Sequence, residues 1–211
     1  MAKNITSQTL QRLPVYFNYL ISLSESRKSG NISATAIAEA LGLNDVQVRK
    51  DLASVSRGGR PRTGYVTAEL ISDIGRFLGF ENHDGVVVAG IGNLGMAMLG
   101  SDSFADYGFD ILCGFDCNES LAGTVINGKP VYHISEMRSF CQNENIKTGI
   151  ITVPEKSAQE VCDIMTDSGI KYILNFASVH LNVPKGVTVH NENISINLAM
   201  LARCSFFENR S

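Results

Sequence analysis

The chain has 211 residues, of which 44% are hydrophobic, and it carries 18 Lys and Arg against 21 Asp and Glu for a formal net charge of −3. This length allows one large domain or two small ones. No apolar run approaches the roughly 20 residues of a membrane-spanning helix, and the N-terminus leads into no signal-peptide core. The composition therefore predicts a soluble, cytoplasmic protein with no membrane partner.

The charge is distributed unevenly along the chain. Residues 1–80 contain ten basic and six acidic side chains, a net charge of +4, whereas residues 81–211 contain eight basic and fifteen acidic side chains, a net charge of −7. A basic N-terminal part beside an acidic remainder indicates a nucleic-acid partner at the basic end.

The first 80 residues predict a small helical domain. Apolar spacing predicts a first helix over 10–24, with Pro14 tolerated in its first turn. Ser33 is expected to cap a second helix that ends at Gly42, and Asn44 is expected to cap a third. Two short helices joined by a tight turn that contains glycine are typical of a helix-turn-helix.

The third helix has the features of a recognition helix. Its apolar residues Val48, Leu52 and Val55 share one face and are expected to pack inward. The opposite side carries an amide and long cations beside small residues, as a helix in the major groove requires. The side chains assigned to DNA on this helix are Gln47, Arg49, Lys50 and Ser54.

A basic segment follows at residues 57–65, with Arg57, Arg60 and Arg62 among glycines and a proline. Such a segment forms no core and suits the flexible hairpin wing of a winged helix, where cations meet phosphates or enter a narrow minor groove. Thr67 is then expected to cap a helix that ends at Gly79, followed by a linker to residue 85.

From residue 85 onward, strand-like and helix-like segments alternate, which predicts an α/β fold with a parallel sheet covered on both faces. The predicted strands are 86–90, 109–115, 130–133, 149–153, 172–177 and 187–190. The predicted helices are 93–100, 135–143, 155–168 and 194–206. The fold class is thus an N-terminal winged helix-turn-helix followed by a Rossmann-like domain.

A dinucleotide site is indicated by Gly90-Ile91-Gly92-Asn93-Leu94-Gly95, which follows an apolar strand and opens a helix. The first glycine permits the tight turn, the second lets the backbone approach a pyrophosphate, and the third lets the helix pack on the strand. Asp116 closes the next strand, 21 residues after Gly95. It can accept both hydroxyls of the adenosine ribose and repels a 2′-phosphate, so NAD(H) is favoured over NADP(H).

Two further turns are expected at the carboxyl ends of strands, where ligands bind in this architecture. They are Thr152-Val153-Pro154 and Asn175-Phe176-Ala177, and we expect their backbone to line the nicotinamide side. An ordinary strand-to-helix turn is the alternative for each.

The sequence contains few residue patterns that are typical of catalytic sites, metal sites or reactive thiols. No His–Asp or Lys–Tyr pair provides the acid and base of a dehydrogenase; His133 is the one histidine of interest, and a structural turn histidine is its commoner role. The five cysteines match neither a zinc spacing nor a C-x-x-C pair, so we expect small apolar residues, with a thiol sensor at Cys117 or Cys204 as the alternative. No metal site and no catalytic residue are predicted.

Over essentially its whole length the chain resembles the bacterial redox-sensing transcriptional repressor Rex. The matching segments are 12–16, 40–43, 47–52, 90–95, 115–116, 152–154, 169–171, 173–177 and 181–187. The resemblance implies a homodimer that is not an enzyme and that binds a palindromic operator in double-stranded DNA. NADH would release the DNA, with NAD⁺ competing. It also implies a winged helix over 1–80, an NAD(H)-binding Rossmann domain over 81–192, and a helix within 193–211 exchanged with the partner subunit.

The residues of the family's switch are only partly present. Ser101 stands where the family commonly has a tyrosine, and Asn193 stands where it has an aspartate that pairs with an N-terminal arginine, here Arg12. An Arg12–Asn193 contact would be a hydrogen bond and weaker than an ion pair. We therefore expect dinucleotide binding to be retained and its coupling to DNA release to be altered.

Two other classes of function compete with this interpretation. The first is a small NAD-dependent oxidoreductase with a helical appendage, which the missing acid–base pair and the arginine-rich segment argue against. The second is a coenzyme-A or nucleotide-binding module whose N-terminal domain contacts proteins. Asp116 argues against coenzyme A, because that site must accept a 3′-phosphate.

Overall fold

The structure is a computed structural model that describes residues 5–23 and 25–208, with side chains described except at 25, 26 and 204–208. The chain divides into two compact units, Met1–Asn82 and His83–Ser211. The last helix belongs to the second unit. The exchange of residues 193–211 with a partner subunit stays a prediction, and residues 209–211 of that range lie outside the described part.

The first unit is a helical domain with one small sheet. Its helices are α1 (Ser7–Ile21), α2 (Glu25–Lys28), α3 (Ala34–Leu41), α4 (Asp45–Val55) and α5 (Thr67–Leu78). The strands β1 (Asn31–Ile32) and β2 (Tyr65–Val66) pair antiparallel. Because α3 and α4 are joined by a short turn and β2 follows a hairpin, the unit has the predicted winged helix-turn-helix arrangement.

The predicted caps of the two central helices are confirmed. The Ser33 hydroxyl accepts a hydrogen bond from the backbone N–H of Ala36 at 3.0 Å. The Asn44 side chain accepts from the N–H groups of Val46 and Gln47 at 3.0 and 3.1 Å. Gly42 ends α3 in the left-handed conformation, with φ of 65°. These short polar side chains satisfy N–H groups that the first helical turn leaves free, and so they fix where each helix begins.

Two details of the predicted helices are wrong. Helix α1 begins at Ser7 because Thr6 caps it, so Pro14 lies in the helix interior and not in the first turn. A proline there removes one helical hydrogen bond, which the burial of Leu13 and Phe17 on either side offsets. Thr67 is the first residue of α5 and not its cap, and its hydroxyl is buried without a hydrogen-bond partner.

The wing is more constrained than the predicted flexible hairpin. Arg60 and Gly64 exchange two backbone hydrogen bonds of 2.8 and 2.9 Å. Gly64 has φ of 74°, and a Cβ there would overlap the carbonyl oxygen of Ile32. A Cβ on Gly59 would lie 2.7 Å from the ring of Tyr65. Glycine is therefore required where the hairpin packs against the rest of the unit.

One carboxylate, Asp51 of α4, holds α4 against α1. Its side chain is only 2% exposed. Oδ2 accepts from Arg12 Nε at 2.7 Å and from the Tyr16 hydroxyl at 2.8 Å. Oδ1 accepts from Arg12 at 3.1 Å, from the Thr9 hydroxyl at 3.1 Å and from Gln47 Nε2 at 2.9 Å. Five hydrogen bonds therefore satisfy a charge that would be very unfavourable to bury alone.

These contacts change the acid–base behaviour of the Asp51 cluster. Burial raises the pKa of Asp51, but the hydrogen bonds from Arg12, Tyr16, Gln47 and Thr9 outweigh burial and hold the pKa below its ordinary value. Burial and the bond to Asp51 raise the pKa of Tyr16 to about 12. Asp51 is therefore ionised and Tyr16 neutral at physiological pH.

The second unit is a seven-stranded sheet with helices. Its strands are β3 (Asp84–Ala89), β4 (Phe109–Asp116), β5 (Val125–Ile126), β6 (Lys129–His133), β7 (Thr148–Ile151), β8 (Tyr172–Asn175) and β9 (Thr188–Asn191). Its helices are α6 (Asn93–Leu99), α7 (Met137–Asn143), α8 (Glu155–Asp167) and α9 (Ile194–Glu208), with 3₁₀ turns at Asp102–Tyr107 and Ile134–Glu136.

The strand order β5-β6-β4-β3-β7-β8-β9 places the predicted ligand site. All pairs are parallel except β5–β6, a short edge hairpin that the sequence did not predict. Without β5, the strands follow the 3-2-1-4-5-6 order of a doubly wound dinucleotide-binding sheet. The chain leaves β3 toward β4 on one side and returns to β7 on the other. The crevice between the carboxyl ends of β3 and β7 is therefore the position where such sheets bind ligands.

Apolar clusters cover both faces of this sheet, one of them including Met137 of α7 and Met165 of α8, the other including Leu99 of α6. Cys113, Cys141 and Cys162 are buried as small apolar residues, and burial raises the pKa of Cys141 and of Cys162 to about 11. Cys117 is exposed. The Cys204 side chain lies outside the described residues.

Helix α9 leaves large apolar side chains on its surface. Those that are more than half exposed are Ile194, Ile196, Leu198, Met200 and Leu201. Within the described part of the chain, no helix combines the length and apolar character needed to cross a membrane.

Replacing Asp51 should destabilise the first unit. We expect Asp51→Asn to lower the free energy of unfolding by about 2–3 kcal/mol at neutral pH, because Arg12 loses its charged partner. Since the folded-state pKa of Asp51 lies below the unfolded value of about 3.9, its stabilisation is present above that pH and is lost as pH falls through the folded pKa. Urea unfolding between pH 2 and 7, followed by circular dichroism, measures both effects.

Asp45→Asn on the same helix is the control. Asp45 pairs at the surface with Arg49, 2.9 Å away, and should contribute about 0.5 kcal/mol or less. Equal losses in the two variants would contradict the central role of Asp51.

Candidate functional site

The glycine-rich turn lies where β3 ends and α6 begins, beside a cavity of about 660 Å³. Its three glycines meet different surroundings. Gly90 has φ of 94°, and a Cβ there would press on Val153. A Cβ on Gly95 would overlap the carbonyl oxygen of Gly90. A Cβ on Gly92 would meet nothing within 4 Å, so Gly92 is the glycine whose open side is free for a ligand.

Thr152 ties this turn to the end of β7. Its hydroxyl lies 2.6 Å from the carbonyl oxygen of Gly90 and 3.1 Å from that of Ala89. The backbone N–H of Thr152 also donates to Ala89 at 2.9 Å. These bonds hold the two strand ends that frame the crevice at a fixed separation.

Asp116 ends β4 and lines the same cavity. Its Oδ2 accepts from the backbone N–H of Ile91 at 2.6 Å, and its Oδ1 accepts from that of Asn118 at 2.8 Å. The carboxylate therefore shapes the glycine-rich turn as well as facing the cavity. A carboxylate offers about four lone-pair sites, so both oxygens can still accept from ribose hydroxyls.

The structure brings most of the predicted cofactor residues to the cavity wall. Those that line it are Gly90, Ile91, Gly92, Asp116, Thr152, Val153 and Pro154. Asn93, Leu94 and Gly95 lie next to it in the first turn of α6 but do not form its wall.

Asn175 and Phe176 are not part of the wall either. Asn175 is fully buried, and its amide nitrogen bonds to the oxygens of Ala177, Val179 and Asn191 at 2.8–3.1 Å. It therefore orders the turn after β8, which is the structural alternative stated for this segment. Phe176 is partly buried against the cluster of the sheet face that contains Leu99.

Several residues that line this cavity are not predicted as ligand residues from the sequence. They are Phe115, Cys117, Asn118, Leu121, Ile134, Ser157, Glu160, Val161 and Ile164. The spacing of Ser157, Val161 and Ile164 indicates that they share one face of α8, but it does not indicate that this face lies toward the cavity. With Leu121 and Ile134 they make an apolar wall suited to a planar base, while Asp116 supplies the polar end.

The predicted DNA-contacting residues of α4 lie as expected relative to its core. Val48 and Leu52 are fully buried, whereas Gln47, Arg49 and Lys50 are exposed. Val55 is only partly buried. Ser54 is partly buried as well, and its hydroxyl donates to the Asp51 carbonyl at 2.5 Å.

The wing arginines are also at the surface. Arg57, Arg60 and Arg62 are exposed, and Arg62 has φ of 70°, unusual for a residue with a side chain. Arg49, Arg60 and Arg62 line a second cavity of about 530 Å³ together with the start of α3. This concentration of cations suits phosphate groups.

The predicted switch residues have partners close at hand. Arg12 is bound to Asp51, as described above. The hydroxyls of Ser101 and Ser103 are 2.7 Å apart. The Asn193 side chain accepts from the backbone N–H of Ile196 at 2.9 Å at the start of α9. Their role in a switch stays a prediction.

His133 acts as a turn residue. Its Nδ1 is 2.8 Å from the Ser135 hydroxyl, and its backbone N–H donates to Glu136 at 3.2 Å, which caps the following 3₁₀ turn. Among the described residues, no group of three or more His, Cys, Asp or Glu could hold a metal ion.

Gly92 and Gly95 should respond differently to alanine. Gly92 has φ of −80° and ψ of −163°, which alanine adopts freely, so Gly92→Ala should fold normally. Its methyl group would occupy the space predicted for a pyrophosphate, and we expect at least about a tenfold weaker NADH affinity, about 1.4 kcal/mol. Fluorescence titration with NADH measures this loss.

Gly95→Ala is the contrasting variant. It should lower the free energy of unfolding by about 1–3 kcal/mol through its overlap with the Gly90 carbonyl. Unchanged NADH affinity in Gly92→Ala would contradict the proposed path of the pyrophosphate.

Two family models match the chain. "CoA binding domain" matches residues 81–179, and "Putative DNA-binding protein N-terminus" matches residues 4–53. Relatives described as redox-sensing transcriptional repressor Rex match nearly the whole chain. The protein from Porphyromonas gingivalis is 39% identical, with 93% of this chain and 90% of the relative covered. That from Streptomyces coelicolor is 37% identical, with 95% and 78% covered.

Solved structures agree with these relatives. A structure described as RSP in complex with beta-NAD⁺ and operator DNA has a TM-score of 0.88 at 31% identity, covering 98% of this chain and 95% of that one. RSP in complex with beta-NADH has a TM-score of 0.84 at 28% identity, covering 99% and 100%. RSP itself is described as a Rex-family repressor. With these similarities along its whole length, the chain belongs to the Rex family of redox-sensing transcriptional repressors.

Proposed function

We propose that this protein is a DNA-binding transcriptional repressor that senses the NADH/NAD⁺ ratio. The observation that carries the proposal is the combination of two sites in one chain of this family. One unit has a dinucleotide-type cavity at the switch point of a parallel sheet, and the other has an exposed amide and cations on α4 beside an arginine-bearing wing.

Several features of the cavity suit the parts of NAD(H). The open side of Gly92 and the N–H groups at the start of α6 suit the pyrophosphate. Asp116 suits the adenosine ribose hydroxyls and disfavours a 2′-phosphate or the 3′-phosphate of coenzyme A. The apolar wall that includes Val161 and Ile164 suits the adenine ring. RSP, with which the chain shares its fold, is described in complexes with beta-NADH and beta-NAD⁺.

The DNA partner in this proposal is a palindromic double-stranded operator bound by a homodimer. A two-fold symmetric dimer presents two recognition helices to two half-sites. The exposed apolar side chains of α9, including Leu198 and Leu201, support an exchange of this helix with the partner subunit, because so much apolar surface is normally covered.

A regulator is favoured over the alternative, a small NAD-dependent oxidoreductase. Hydride transfer to a carbonyl requires an acid or base beside the nicotinamide. The ionisable side chains described on the cavity wall are Asp116, Cys117 and Glu160, while His133 caps a turn outside that wall. Membership of a repressor family and the arginine-bearing wing support a regulator without catalytic residues, and we infer that it acts on DNA in the cytoplasm.

The first test is a titration of operator DNA with the intact protein, alone and with NADH or NAD⁺. We expect specific binding with a steep salt dependence, weakened more by NADH than by NAD⁺. A DNA with shuffled half-sites is the control. Absence of specific binding would overturn the proposal and return weight to an enzyme or a nucleotide-binding module.

Ser101 and Asn193, which depart from the family's switch residues, should reduce the coupling between NADH binding and operator affinity. Allosteric effects commonly change affinity by about 5–150-fold, and we expect the effect of NADH on operator affinity to lie at the low end of that range. The double substitution Ser101→Tyr, Asn193→Asp should enlarge the effect, because it restores the tyrosine and the aspartate that the switch of this family commonly has.

The same DNA titration measures that enlargement. Aspartate caps helices as well as asparagine does, so the start of α9 should persist in the double variant. An unchanged effect of NADH in the folded double variant would show that these positions do not set the coupling.

A further inference from the structure

The amide of Gln47 has a defined orientation. Gln47 lies in the first turn of α4, is exposed to solvent, and donates from Nε2 to Asp51 Oδ1 at 2.9 Å. An ionised carboxylate only accepts hydrogen bonds, so the nitrogen of the amide must face Asp51. The carbonyl oxygen Oε1 therefore points away from Asp51.

Asp51 itself has little freedom to turn. It is 2% exposed, and its oxygens also accept bonds from Thr9, Arg12 and Tyr16 of α1. Because α1 donates four hydrogen bonds to Asp51, the carboxylate cannot easily reorient, and it can therefore fix the orientation of the Gln47 amide. The exposed edge of Gln47, with Oε1 and the second N–H of Nε2, is thus set before any DNA is bound.

We propose that Gln47, oriented by Asp51, selects an adenine in each half-site of the operator. Adenine presents a donor at N6 and an acceptor at N7 in the major groove, which match the carbonyl and the remaining N–H of the amide. Guanine presents two acceptors there, and its O6 would oppose Oε1. The inference rests on the DNA-binding function proposed above.

The position of Gln47 supports this role. Recognition helices place their N-terminal residues against base edges, and Gln47 follows the Asn44 cap by three residues. Its neighbour Arg49 is bound to Asp45 at 2.9 Å, near the exposed wing arginines that line the same cavity. Arg49 is therefore placed for phosphates, whereas Gln47 is placed for bases.

The test replaces each A·T pair of a half-site by G·C, one at a time, and measures affinity. The affinity of the unmodified protein should fall about 5–150-fold when the A·T pair at one particular position is replaced, as expected for loss of a bidentate contact. Gln47→Ala should bind adenine and guanine at that position within about twofold. Gln11→Ala, the same change at an exposed glutamine of α1, is the matched control and should keep the full discrimination. Equal discrimination in Gln47→Ala would overturn the inference.

Modified bases test the contact without altering the protein. At the selected adenine, 7-deazaadenine lacks the N7 acceptor and purine lacks the N6 amino group. Each should weaken binding by the unmodified protein by about 5-fold or more and leave Gln47→Ala unaffected. If neither base changes the affinity of the unmodified protein, Gln47 does not read adenine.

Asp51→Ala tests the orienting role. Without the carboxylate, no acceptor fixes which edge of the Gln47 amide faces solvent, so the amide can also present N–H groups to the base. The preference for adenine over guanine at that position should then fall to within about twofold, because guanine N7 and O6 are acceptors. Retention of the full adenine preference in a variant shown to be folded by circular dichroism would exclude the orienting role. If the unmodified protein binds no operator specifically, the proposed function falls with the inference. If it binds the operator specifically but no adenine preference depends on Gln47, only the inference about Gln47 is wrong.

Discussion

The DNA-reading half of this protein depends on one buried charge. A carboxylate can be buried only if its oxygens are satisfied, and Asp51 achieves this with donors from α1 and from its own helix. The requirement is mutual, since Arg12 and Tyr16 would lose their partner if α4 moved. The recognition helix is therefore held in position by these hydrogen bonds in addition to its apolar face of Val48 and Leu52.

The predicted dinucleotide site of the second unit depends on close backbone packing at its glycine-rich turn. At the end of β3 the backbone must turn, and α6 must approach so closely that Gly95 touches the carbonyl of Gly90. Asp116 and Thr152 then bind this turn from either side, one through the N–H of Ile91 and the other through the Gly90 carbonyl. Asp116 and Thr152, which frame the crevice, thus also hold the turn that is predicted to bind the ligand.

The features that the sequence predicts correctly depend mostly on residues that are close together in the chain. The caps at Ser33 and Asn44 and the alternation of strands and helices depend on neighbouring residues, and the structure confirms them. Pro14 lies in the helix interior and not in the first turn, because Thr6 starts α1 earlier than apolar spacing alone predicts. The place of Asn175 after a strand does not reveal that its side chain turns inward, and its role toward a ligand stays a prediction.

Long-range pairing was beyond the sequence. The sequence does not predict the role of Asp51, because its partners in α1 lie 35 to 42 residues away. The contribution of α8 to the cavity likewise depends on how that helix packs beside β7. The site was thus predictable where its residues are consecutive and unpredictable where tertiary packing brings them together.

The close packing of the wing has a consequence for the entropy of association. The backbone around Gly59 and Gly64 is already ordered by its contacts with Tyr65 and Ile32. Binding would therefore immobilise mainly the arginine side chains, each at a cost of at most about 2 kcal/mol, and not the peptide chain that carries them. Ordering a disordered loop of the same length would add roughly 1–2 kcal/mol for every backbone residue fixed.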